Sequence, residues 1–145
     1  LPLPVIAASA EERSALLNQK TLATTRRLAL DTDVRFVGIG PIHEKAPLVR
    51  DGFITPDDGR RLATQGAVGE ILGFVFDRDG RLADDEINSR VTSAPLSASP
   101  DIPTIAAAQG AGKHAAIRAA LTGRLITGLV TDERTAEALL SPKTP

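Results

Sequence analysis

Apolar positions along the chain follow two alternating rhythms. Short continuous apolar runs recur as "LPVIAA" (3–8), "VRFVGIG" (34–40), "TIAAAQG" (104–110) and "LITGLVTD" (125–132). Their length and composition predict buried strands. Other segments carry apolar residues at helical spacing. Residues 9–33 predict two helices or one broken helix, and "KHAAIRAALTG" (113–123) and "ERTAEALL" (133–140) predict one each. Strand–helix alternation of this kind predicts βα units, an α/β fold with a mainly parallel sheet.

Boundary residues support these elements. Ser9 followed by Glu11 and Glu12 has a capping pattern. Thr55 stands as an N-cap before Pro56, with Asp57 and Asp58 near the positive end of a helix dipole. Gly123 fits a helix C-cap. The Ser/Pro-rich stretch 93–103 reads as a connector, and "SPKTP" at the end as a frayed tail.

One region departs from the rhythm. In "ILGFVFDRDGRLADDEI" (71–87), two strand-like runs flank an Asp-Gly pair, which predicts a β-hairpin turning at Asp79-Gly80, at the edge of the sheet. Just before it, Gly66, Gly69 and Gly73 would each cost roughly 1 kcal/mol inside a helix. Their clustering predicts a helix ending and close backbone packing ahead of the strand. Glu70 lies within this apolar run. A buried carboxylate needs a partner, and sugar hydroxyls, an arginine or a backbone amide would each serve.

Composition narrows the chemistry. At 145 residues the chain has the size of one domain, and a net charge of −1 gives no general pull toward nucleic acid or acidic membranes. With no cysteine, disulfides and thiolate metal sites are excluded, and His43 and His114 offer little for a metal site or a triad. No apolar run has the roughly 18–20 residues that span a bilayer, and the first residues lack a basic signal-peptide region, so a cytoplasmic protein is expected. Methionine is absent even at position 1, so a piece of a longer protein is expected.

In open parallel sheets ligands bind beyond the carboxyl ends of the strands. Three such exits are predicted, at "GIGP" (38–41), "QGAGK" (109–113) and "TDE" (131–133). "QGAGK" is not a Walker loop, because Ala107 stands at the first glycine position and His114 follows the lysine. "GIGPIH" is not a dinucleotide fingerprint, because His43 takes the place of its last glycine. What remains is a turn of backbone donors beside Lys113, suited to a monoester phosphate, or else a plain tight turn with a solvated lysine. Arg50 and Arg90 are either bidentate partners for a second phosphate or solvated loop residues. Asp132 and Glu133 are either ligand contacts or an acidic first helical turn.

Taken together, "FVGIG", "GAVGEILGFVFDRDG", "NSR", "IAAAQGAGKHAAIRAALTG" and "LVTDERTAEALL" occur in the order and spacing of one family. Across residues 34–140 the chain resembles the C-terminal effector-binding domain of SorC-type bacterial transcriptional regulators. The resemblance implies a Rossmann-like, mainly parallel sheet flanked by helices, related to NagB/RpiA-type isomerases and deaminases, with one β-hairpin insertion. It implies a phosphorylated sugar as effector, operator DNA bound through a helix-turn-helix absent here, a tetrameric assembly, and neither cofactor nor metal. It places Lys113 and the turn at Gln109 and Gly110 on the phosphate, Glu70 on sugar hydroxyls, Gly38 and Gly40 at the glycine-rich exit, and Arg50 near a phosphate. The family turn usually begins Gly-Gly, so Gln109 departs from it. The first part of the family's effector domain has no counterpart, so about half of a pocket is expected. Two other functions fit these residues less fully. One is a sugar-phosphate isomerase or deaminase with Glu70 as base, for which a second acid–base group is missing. The other is a domain kept only for oligomer contacts.

Overall fold

A computed structural model describes residues 3–83, 86–96 and 101–141. Three strands, β1 (Arg35–Val37), β5 (Thr104–Ala107) and β6 (Gly128–Val130), form a parallel sheet in the order β1-β5-β6. Three more, β2 (Gly40–Pro41), β3 (Ala67–Ile71) and β4 (Phe74–Asp77), form an antiparallel sheet in the order β2-β3-β4. The helices are α1 (Ala10–Leu17), α2 (Ala23–Leu30), α3 (Pro47–Arg50), α4 (Pro56–Thr64), α5 (Glu86–Arg90), α6 (His114–Thr122) and α7 (Glu133–Leu140). The α/β class, the parallel sheet and the flanking helices agree with the sequence.

Local chemistry accounts for the helices. Residues 9–33 form the broken helix, with a 3-10 turn at Lys20–Leu22 between α1 and α2, and the Ser9 side chain accepts the Glu12 amide at 3.1 Å. At α4 the capping box is complete: Thr55 Oγ1 accepts the Asp58 amide at 3.1 Å and Asp58 Oδ2 accepts the Thr55 amide at 3.0 Å. Gly123 caps α6 by donating its amide to the Ala119 carbonyl at 2.8 Å.

Three expectations are corrected. Residues 3–8 do not form a strand of either sheet; they make one isolated bridge, Ile6 to Val91, while Ile6 and Ala7 are still buried. The run 34–40 does not stay in one strand. It leaves the parallel sheet after Val37 and enters the antiparallel one at Gly40. The hairpin turns at Leu72-Gly73 rather than at Asp79-Gly80, and it lies in a sheet of its own rather than at the parallel sheet's edge. Both turn residues are left-handed, with φ of 57° and 88°, as a two-residue hairpin of matched twist requires. Gly66, at φ 97°, follows the C-cap of α4, so the helix ends there as expected, and residues 67–71 then alternate between buried and half-buried as β3. Gly69 is needed there for close packing: a Cβ on it would lie 2.6 Å from the Ala116 Cβ and 2.7 Å from the Phe76 ring. The Asp79-Gly80 turn does form, closing a single bridge between Phe76 and Leu82 against the C-terminal end of α6.

One core lies between the sheets and α6, built on Ile39, Ile71, Phe76, Ala106, Ile117 and Leu125. A second gathers Ile42, Leu48, Ile54, Leu62, Val75 and Ile87 on the far side of the antiparallel sheet. The opposite face of the parallel sheet is bare, with Phe36 74% and Val130 61% exposed. Among the described residues no helix is long and apolar enough to cross a membrane. Parts of the connector (97–100) and of the tail (142–145) lie outside the described residues. Parallel pairing puts the strand exits at Gly38, Ala108 and Thr131 at one end of the sheet, where the site is found.

Candidate functional site

Glu70 sits in the middle strand of the antiparallel sheet, opposite Gly40 on β2 and Val75 on β4. Its Oε2 accepts the Gly73 amide at 2.9 Å, the backbone partner that the hairpin turn supplies. A Cβ at Gly40 would collide with the carboxylate, so glycine there makes room for it. Burial pushes the Glu70 carboxyl above its ordinary value, while the Gly73 hydrogen bond and the Lys113 charge oppose that rise.

Across from Glu70, residues 109–113 leave β5 and open the helix. Gly110 has φ 100° and ψ 148°, a region almost reserved for glycine. Its amide is already committed, donating to Thr135 Oγ1 at 2.9 Å, and its carbonyl accepts the Lys113 amide at 2.9 Å. The amides of Ala111 and Gly112 head the helix, where no intrahelical acceptor exists. Among the described residues nothing lies within 4 Å of where a Cβ would stand on Gly38, Gly110 or Gly112.

Glu70 and Lys113 line one cleft of about 410 Å³, together with Gly38, Gly40, Asp51 and Ser93. That volume suits a small polar ligand. On the other side of the turn, Lys113 also lines a cleft of about 520 Å³ with Gln109, Val130, Thr131 and Asp132. The lysine therefore stands between two open spaces. Asp132 caps α7, accepting the Thr135 amide at 2.7 Å. The Thr135 hydroxyl, and then its amide, hold the Asp132 carboxyl below the usual range.

Six of the seven sequence-predicted residues thus meet at the strand exits. Gly38, Gly40, Glu70 and Lys113 share the first cleft, while Gln109 faces the second and Gly110 shapes the turn between them. Arg50 does not join them. It ends α3 with its side chain 73% exposed, beside the Asp51 carboxylate at 3.7 Å, and lines neither cleft. Arg90 is structural, donating to the carbonyls of Ala7 and Ala8 at 3.2 Å each and so tying down the first residues of the chain. Sequence reasoning missed Asp51, Ser93 and Thr135. Ser93 stands in a Ser/Pro connector and gives no signal. Thr135 gives one, because it lies four residues before Leu139 on the inward face of α7.

Known proteins resemble this chain in sequence and in fold. The erythritol catabolism regulatory protein EryD of Brucella abortus is 35% identical over 140 residues, which cover 97% of this chain and 44% of that protein. Among solved structures, a DeoR family transcriptional regulator from Listeria monocytogenes superposes with a TM-score of 0.88 at 28% identity, over 97% of this chain and 57% of that one. The full-length sorbitol operon regulator SorC from Klebsiella pneumoniae gives a TM-score of 0.85 at 26% identity, over 97% of this chain and 46% of that one. The chain thus spans less than half the length of EryD and of SorC. Residues 1–141 match the family described as "Putative sugar-binding domain", and the chain belongs to that family, the sugar-binding part of SorC-type transcriptional regulators.

Proposed function

We propose that the cleft between Glu70 and Lys113 binds a phosphorylated sugar or sugar alcohol as the effector of a transcriptional regulator. The observation that carries this reading is the pairing of opposite chemistries across one space of about 410 Å³. Lys113 offers a phosphate its charge, and it ends the helix-opening turn of Ala111 and Gly112, which lies just outside the cleft lining. Glu70 offers hydroxyl groups an acceptor, and a proton donor whenever it is protonated. The erythritol and sorbitol in the names of two relatives make sugar alcohols and their phosphates the first ligands to test.

In this reading operator DNA is bound by another part of the polypeptide, and effector binding shifts the balance between states that place those parts differently. The bare sheet face at Phe36 and Val130 is covered by the rest of the effector domain or by another copy in an oligomer. Arg50 supports the phosphate only by swinging away from Asp51.

The test is a thermal-shift screen of the full-length polypeptide against erythritol 4-phosphate, ribose 5-phosphate and glucosamine 6-phosphate, repeated with Lys113→Ala. A ligand at a hundred times its Kd stabilises the protein by about 2.7 kcal/mol. Lys113→Ala is expected to abolish most of that shift, and an undiminished shift overturns the site. Asp51 gives the cleft a second carboxylate, of the kind an isomerase needs. A turnover assay on the same sugar phosphates is therefore included. No turnover is expected, and a measurable rate replaces the regulatory reading with a catalytic one.

A further inference from the structure

Thr135 is 1% exposed, one of the few buried polar side chains among the described residues, and it lines neither cleft. Its place is beneath the turn. The hydroxyl accepts the Gly110 amide across 25 residues of sequence at 2.9 Å. The Asp132 carboxylate in turn accepts the Thr135 amide at 2.7 Å, capping the first turn of α7. A hydroxyl has one proton to give and lone pairs to receive. One side chain thus joins the β5 exit to the N-terminus of α7.

Gly110 occupies a backbone region open to glycine alone, and glycine's freedom means that it stays in this one conformation only where its surroundings hold it. Thr135 supplies that hold. By holding the Gly110 amide it removes one donor from the ligand's reach. It also fixes the peptide that precedes Ala111, Gly112 and Lys113. We infer that Thr135 is a positioning residue for anion binding: its hydroxyl sets the shape of the 109–113 turn, so the grip on a phosphate depends on a side chain outside both clefts. This inference rests on the cleft being a phosphate site.

The experiment compares wild type, Thr135→Val and Thr135→Ser in the full-length polypeptide. Valine keeps the shape and loses the hydroxyl; serine keeps the hydroxyl. Calorimetric titrations with inorganic phosphate, ribose 5-phosphate and erythritol 4-phosphate are combined with amide hydrogen exchange over residues 109–113. Thr135→Val is expected to weaken phosphate-ligand binding about tenfold and to speed exchange at Gly110, and Thr135→Ser to restore both to within about threefold, in line with the loss of one buried hydrogen-bond partner. A purely structural role is separated by a double-mutant cycle. In a Lys113→Ala background the valine variant should cost much less than it does in wild type, whereas a general loss of stability would add independently.

Binding by Thr135→Val within twofold of wild type overturns the inference, as does a serine variant as defective as the valine one. Full additivity with Lys113→Ala overturns it as well. Failure of wild type to bind any of the three probes overturns the phosphate reading itself, and the inference with it. Binding by wild type and by Thr135→Val alike overturns the inference alone.

Discussion

The two walls of the cleft use glycine for opposite physical reasons. On the Glu70 wall Gly40, Gly69 and Gly73 are crowded. A Cβ on Gly40 would strike the Glu70 carboxylate, one on Gly69 would meet Ala116 and Phe76, and one on Gly73 would lie 2.8 Å from Val5 Cγ1. On the Lys113 wall Gly38, Gly110 and Gly112 face open space to 4 Å. The first wall is filled by the chain itself, so its glycines serve packing. The second is kept clear, which is what backbone donors need if a ligand is to approach them.

The sharpest way to break this contrast is a single methyl group on the crowded wall. Gly69→Ala forces its Cβ against the Ala116 Cβ and the buried Phe76 ring, neither of which has room to move. Overpacking of this kind costs about 1–3 kcal/mol. A lower midpoint in urea unfolding, with an unchanged slope, is the expected result. An unchanged midpoint would mean that α6 and β3 can separate freely, and the contrast between the walls would fail.

The same methyl group on the clear wall should act with the opposite sign. Gly112 lies in the 3-10 turn that leads into α6 and has no neighbour to strike. Gly112→Ala is expected to leave stability unchanged or raise it by up to about 1 kcal/mol, because alanine restricts the unfolded chain. In titrations it should weaken phosphate ligands, because the new methyl group stands where a ligand approaches the turn. A variant that gains stability and binds as well as wild type would show that the clearance serves no ligand.

How much of this was legible in the sequence follows from the same contrast. The turn at 109–113, Lys113, the Ser9 cap and the capping box at Thr55 are local features, readable because neighbouring residues decide them. Glycine's role at 66–73 was readable only in part: the helix end at Gly66 and the close packing were, and the strand through Gly69 was not. Three glycines argue against a helix by propensity, but the strand that runs through Gly69 depends on α6 and β2, which lie about 30–50 residues away in sequence, pressing on it. The sheet switch between Val37 and Gly40 and the hairpin turn at Leu72-Gly73 failed for the same reason: a leucine at φ 57° carries no turn signal. Glu70 was singled out because a carboxylate in an apolar run must have a partner. Which partner it has, the Gly73 amide, depended on the turn that the sequence misplaced.

The walls also differ in how they hold charge, and pH should separate them, by the smallest of these effects. Burial raises the Glu70 carboxyl, so between its ordinary value of 4.5 and its folded value the native state holds more protons than the unfolded chain. Stability linked to Glu70 therefore falls as pH rises through that window and is level above it. Asp132, exposed in the second cleft behind the Lys113 wall, is lowered from 3.8, so its contribution is present above that value and is lost as pH falls through the lowered one. Glu70→Gln keeps an acceptor for the Gly73 amide but cannot ionise. Relative to wild type it should gain stability as pH is raised from 4 toward 7, measured as urea midpoints at several pH values. Lys113→Ala removes an attraction that holds the Glu70 carboxyl down, so it should extend the wild-type decline to higher pH. Parallel curves for wild type and Glu70→Gln would mean that Glu70 is as well solvated as an ordinary surface carboxylate, and the two walls would then be electrostatically alike.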